Sequence, residues 1–262
     1  LDSAEDADNL GDSLRRTLTV TGNAIFVGNV GNSFELGSIE VTQASTFGKT
    51  GVTAIAVTSS GTQTYTGAAT LLSNTTINTA DSAIEFGSTI NGAKALTAAA
   101  GTGKLTLTGV VGTDATSANR LTSLTVNSAN TASLNDVFTT GAQAITATGI
   151  TLAGGEYAAG TTATYSGPVT LSQATTIAGT TVTFNDMLDS SVSGGSTDSD
   201  TLGITGNAVF NALVGDTAEL GSLSVSGTTA LNGDSTTMSV STTGGQTYSN
   251  TVTLGANTTL NV

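Results

Sequence analysis

Short runs in which apolar and polar residues alternate recur along the whole chain. Leu18 and Val20 alternate with Thr19 and Thr21, Leu105 and Leu107 with Thr106 and Thr108, and Leu223 and Val225 with Ser224 and Ser226. This period of two predicts half-buried strands, with Leu, Val and Ile turned inward and Thr and Ser turned out. Val20, Val126 and Val225 are thereby expected inside, each in a stacked aliphatic ladder. Gly, Asn, Asp and Ser interrupt the runs, as at Gly28-Asn29, Asn91-Gly92 and Asn232-Gly233, which predicts a turn after every strand. Helical spacing is not sustained; Ala95 to Ala100 is the one helix-like patch, and it runs into Gly101-Thr102-Gly103.

The runs also repeat one another. Thr64-Tyr65-Thr66-Gly67, Thr164-Tyr165-Ser166-Gly167 and Thr247-Tyr248-Ser249 each lead into a Thr-Leu pair and then Thr-Thr-Ile or Thr-Thr-Leu. Thr21-Gly22-Asn23-Ala24-Ile25-Phe26 returns 184 residues later as Thr205-Gly206-Asn207-Ala208-Val209-Phe210. Glu35-Leu36-Gly37-Ser38-Ile39 returns at the same offset as Glu219-Leu220-Gly221-Ser222-Leu223, with a looser copy at Arg120–Val126. The expected organisation is one continuous array over 1–262: a long unit at 1–187, with halves of about 1–100 and 101–187, and a partial second unit at 188–262. Units of this kind cannot bury an apolar face alone and must stack.

Two architectures stack short strands at this spacing. One is a β-solenoid whose coils of roughly 20–30 residues lie about 4.8 Å apart, giving about ten coils here. The other is a row of tandem β-sandwiches. Short strands, small residues at core positions and the absence of Trp favour the all-β solenoid, since a sandwich core about 10 Å thick draws on larger aromatics.

Composition narrows the class. Charged residues make up 10% of the chain, against about 25% in ordinary domains. Thr supplies about a fifth, and there is no Cys, no His and a single Pro. The net charge of −13 and six scattered basic residues argue against nucleic acid and anionic membrane surfaces as partners. No apolar run reaches the roughly 18–20 residues of a membrane span. The chain begins without Met or a signal peptide and stops inside the strand-like Thr258–Val262, so a piece of a longer protein is expected, docking on neighbouring repeats or on copies of itself end to end.

Gly61-Thr62-Gln63-Thr64-Tyr65-Thr66-Gly67, Gly244-Gly245-Gln246-Thr247-Tyr248 and Leu121-Thr122-Ser123-Leu124-Thr125-Val126 resemble the strand repeats of filamentous-haemagglutinin-like bacterial surface proteins. The resemblance covers nearly the whole chain, and its motifs are structural. It implies a right-handed parallel β-helix, secretion through the outer membrane, an extracellular or cell-surface location, and a role in adhesion, aggregation or biofilm matrix. Surface glycans or cell-surface receptors are the partners it suggests, with a surface-layer or fibre subunit as the alternative.

Candidate chemistry is sparse. Acidic residues gather at Asp2–Asp12 and Asp186–Asp200, and Gly194-Gly195-Ser196-Thr197-Asp198 partly matches a glycine-rich calcium turn. Asp6, Asp8, Asp198 and Asp200 are the candidate calcium ligands, because hard carboxylate oxygens in Gly/Ser loops suit that ion; the third glycine of the turn is missing and the motif does not repeat at nine residues, so a solvated loop leaving the solenoid wall is the favoured reading. Tyr65, Tyr165 and Tyr248 could stack on sugars or pack at one corner of successive coils. Asn23 and Asn207 suit turn caps. Thr106/Thr108 suits a flat Thr ladder, but that would need Thr-x-Thr on every coil, which is absent here. A β-helix carbohydrate-active enzyme is the remaining class, but no grouped carboxylates with basic neighbours appear, and no catalytic residue is assigned.

Overall fold

The computed structural model describes residues 15–113, 118–191, 200–233 and 236–262. Among them every regular element is a strand and the strands pair in parallel, coil upon coil, as a β-solenoid of about 11 turns. Tandem sandwiches, which need antiparallel pairs, do not form. Corner side chains reach the neighbouring coil across 19 to 29 residues of sequence. The coil length therefore varies as loops are let out between strands. The chain divides into two compact units, Leu1–Ala132 and Ser133–Val262.

In the first unit each coil has three faces. The first stacks Leu18–Val20, Ile39–Val41, Gln63–Tyr65, Ile84–Phe86 and Lys104–Leu107. The second stacks Ala24–Phe26, Ser45–Phe47, Ala69–Leu71 and Ile90–Asn91, and the third Ala54–Ser59, Asn74–Thr79, Ala95–Ala99 and Ser123–Ser128. The helix-like alanine patch is thus a strand: Leu96 and Ala98 are buried between Thr75/Ile77 on one side and Leu124/Val126 on the other. Tertiary pairing overrides the helix preference of Ala.

Parallel, in-register stacking turns each inward position into a column. One column runs Val30, Val57, Ile77, Ala98, Val126. In the second unit another runs Ile150, Val169, Leu188, Val214, Val240, Leu260. Val126 and Val225 are buried inside such columns, and Val20, on the first described coil, is half-buried. The columns are not purely aliphatic. Val20 continues into Val41, Tyr65, Phe86 and Leu107, and Val225 lies between Ile204 and Tyr248. Tyr65 stacks on Phe86 at 4.9 Å between centroids, and Phe26 on Phe47 at 5.2 Å. In the second unit Tyr165, Phe184 and Phe210 form a continuous stack. Aromatic rings therefore supply core volume that the sequence reading gave to small residues; identical spacing in successive coils is what lets flat rings overlap.

The 184-residue recurrence reports one device built twice. Gly31 and Gly215 both sit at φ +67°, each opening a loop that closes on a buried Leu, Leu36 or Leu220. A Cβ at Gly31 would lie 2.1 Å from the Thr58 carbonyl oxygen, and one at Gly215 2.2 Å from that of Ser241. Both backbone conformation and contact with the next coil exclude any other residue.

Candidate functional site

Some polar residues are buried within the coils, such as Gln63 and Gln143; others hold corners, and the rest face solvent. At corners, Asx side chains accept backbone N–H groups of the adjacent coil that the ladder leaves over. Asn23 Oδ1 accepts from Ala44 N at 3.1 Å, and its counterpart Asn207 accepts from Thr228 N at 3.0 Å. Asp81 does the same for Thr102, and Asp136 for Gly155 and Glu156. Asn185, Asn211 and Asn232 form an amide ladder, Asn211 Nδ2 donating to Asn185 Oδ1 at 2.9 Å and Asn232 Nδ2 to Asn211 Oδ1 at 2.8 Å. These side chains are occupied in closing turns.

Of the calcium candidates, Asp6, Asp8 and Asp198 lie outside the described residues. Asp200 is described, and its Oδ2 accepts from Ser190 Oγ, Ser191 Oγ and Ser191 N at 3.0–3.2 Å, while its own N–H donates to Ser190 Oγ at 2.7 Å. Asp200 thus ties the start of the strand Thr201–Phe210 to the end of the strand Leu188–Ser190. Among the described residues no group of three or more carboxylates gathers as a metal site.

The tyrosines point inward. Tyr65 and Tyr165 are fully buried, and burial raises the hydroxyl pKa of both well above the usual phenol value. Tyr157, also buried, is raised by desolvation and drawn partly back by the Gly154 N–H it accepts. Tyr248, half-buried, is pushed up to about 12 by the same loss of water. None presents its ring to solvent as a sugar platform.

Outward rows are built from small groups. Along the first face of the first unit run Thr19, Glu40, Thr64, Glu85 and Thr106, so a Thr separates the two carboxylates. Like charges directly opposite would repel. On the third face Thr76, Thr97 and Thr125 align, flanked by Ala95, Ala99 and Ser123. Each strand here carries one outward Thr of the row, not the paired Thr-x-Thr of a flat ladder.

One surface feature escaped the sequence reading. The loop opened by Gly31 forms, with Arg15 and Thr58, a cleft of about 440 Å³ lined by Asn32, Ser33, Phe34 and Glu35. Arg15 Nη1 is 2.9 Å from Glu35 Oε2. Comparing the two loop copies residue by residue would have flagged it, since Phe34 is matched by Ala218. Comparison of the chain with family models, with curated proteins and with solved structures yields no match.

Proposed function

We propose that this chain is a structural and adhesive repeat segment of an extracellular bacterial protein of the filamentous-haemagglutinin-like kind. The observation that carries the reading is the duplicated coil. The same inward columns, the same Gly-opened loop and the same Asn caps are built at 18–78 and again at 202–262. A wall made from a repeating coil extends by adding coils, and its outer surface is free to vary without disturbing the columns. The carboxylates of Asp81, Asp136 and Asp200 hold turns, and Glu40 and Glu85 stand apart in a row, which supports a surface that displays rather than one that turns over substrate.

The test uses beads coated with the chain, measured for aggregation and for attachment to bacterial and epithelial cell surfaces. Attachment above albumin-coated beads is expected. Coated beads that behave as the albumin control on every surface overturn the proposal. Mass measured over a concentration series separates the fibre-subunit alternative, in which mass grows with concentration, from a stalk that stays monomeric.

A further inference from the structure

The cleft at residues 31–36 is the feature the scaffold does not explain. Of the seven phenylalanines, six are buried, and Phe34 alone is exposed, at 37%. The chain contains its own control for what the loop requires. The second copy keeps the φ +67° glycine, the Glu and the buried Leu, and bridges the next coil in the same way, Leu36 to Ser59 and Leu220 to Thr242. It does so with Asp216, Thr217 and Ala218 where the first copy has Asn32, Ser33 and Phe34. The phenyl ring is therefore not needed to form the loop. The exposed part of the ring leaves apolar surface in water, at a cost in solvation that the loop itself does not require.

The geometry points to a binding site for a short neutral glycan in this cleft, a ligand class that rests on the adhesive reading above. The lining offers an apolar ring face beside a carboxylate, a guanidinium, an amide and hydroxyls. Arg15 and Glu35 neutralise each other at 2.9 Å, so the cleft carries hydrogen-bond donors and acceptors without net charge. An anion would face Glu35 and a chain of net charge −13; a cation would face Arg15. A pyranose suits both halves of the lining: its C–H face lies against Phe34, and its hydroxyls donate to Glu35 and accept from the Asn32 amide. A volume of about 440 Å³ falls within the range of small-ligand sites. With one ring and a few solvent-facing polar groups, the dissociation constant should be roughly millimolar.

The experiment follows backbone amide shifts by NMR while maltose, cellobiose and the N-acetylglucosamine disaccharide are titrated into the whole chain. Shifts confined to Asn32–Leu36, with none at Asp216–Leu220, are expected for at least one sugar. Phe34→Ala should weaken binding about tenfold or more, and Phe34→Tyr should keep it. Ala218 shows that the loop closes without the ring, so loss in Phe34→Ala reads binding and not folding. No shifts in the first loop with any of the three sugars, or unchanged binding by Phe34→Ala, overturns the assignment. The adhesive reading is judged separately by bead attachment of the same proteins: attachment that persists in a chain without sugar shifts removes the site and leaves the adhesin.

Discussion

Tyr65 Oη donates to Gln63 Oε1 at 2.6 Å, and Gln63 Nε2 in turn donates to the carbonyls of Val57 and Asn78 at 3.1 and 2.8 Å. A buried phenol is thus wired through one side chain to backbone on two coils. Tyr248 repeats the arrangement through Gln246, with Val240 and Asn261 as the carbonyl partners. Tyr165 does not. Two residues before it stands Ala163, and the Tyr165 hydroxyl finds no protein partner.

This difference predicts opposite outcomes for one substitution. Tyr65→Phe strips Gln63 Oε1 of its donor and should cost about 1–2 kcal/mol. Tyr165→Phe removes a buried hydroxyl that bonds to no protein group and should be neutral or stabilising by about 1 kcal/mol. Urea denaturation of the two variants against the parent checks the pair. Equal destabilisation by both would show that the hydrogen bond makes no difference.

The glycine contacts predict a second contrast. Gly31→Ala and Gly215→Ala place a Cβ against a neighbouring carbonyl and force a left-handed backbone, so each should cost well over about 2 kcal/mol. Gly51 also has a positive φ, +88°, but nothing lies within 4 Å of its Cβ position. Gly51→Ala should cost only the backbone term, about 1–2 kcal/mol. Thermal melts that rank Gly51→Ala with the other two would refute the contact argument.

Val126→Asp tests the columns. Val126 is 1% exposed and stacks on Ala98, so the carboxylate would be buried without a partner. A loss above roughly 4 kcal/mol, or failure to fold past that coil, is expected. Thr125→Asp, one residue away on the outer face, should change stability by less than about 0.5 kcal/mol. A Val126→Asp variant that unfolds at the parent's urea concentration would contradict the inward assignment.

Alkaline pH should open the molecule. Burial raises the pKa of Tyr65, Tyr157 and Tyr165, and of Tyr248 to about 12, above the ordinary value of 10.0. The folded state therefore holds these protons more tightly than the unfolded state does. Their contribution to stability is fully present below pH 10.0 and is lost as pH rises through the folded values, so stability falls on that side. Tyrosinate absorbance and circular dichroism followed together should show the buried phenols ionising only as the strands melt. Complete tyrosinate formation with the strand signal intact would overturn this.

Alternation of Leu18, Val20, Leu105 and Leu107 with Thr was sufficient to read strands and their inward faces, because a strand's side chains have a period of two whatever they pack against. The recurrence of Thr21–Phe26 at Thr205–Phe210 was sufficient to read stacking, because similar units can share a core only by lying on one another. Short strands and the absence of Trp already favour a solenoid over a sandwich; what tertiary structure decided is which strand lies on which and in what register, since alternation alone is the same in both architectures. The same holds for Ala95–Ala99, which is a strand because Asn74–Thr79 and Ser123–Ser128 flank it. Asp200 reads from its neighbours in sequence as a solvated-loop residue or a calcium ligand, and only the structure shows its oxygen meeting the hydroxyls of Ser190 and Ser191. Phe34 reads as one more apolar residue. Its mismatch with Ala218 is visible in the sequence, but that the ring lies outside the core is decided by the folded loop, because which face of a turn meets solvent depends on the coil it packs against.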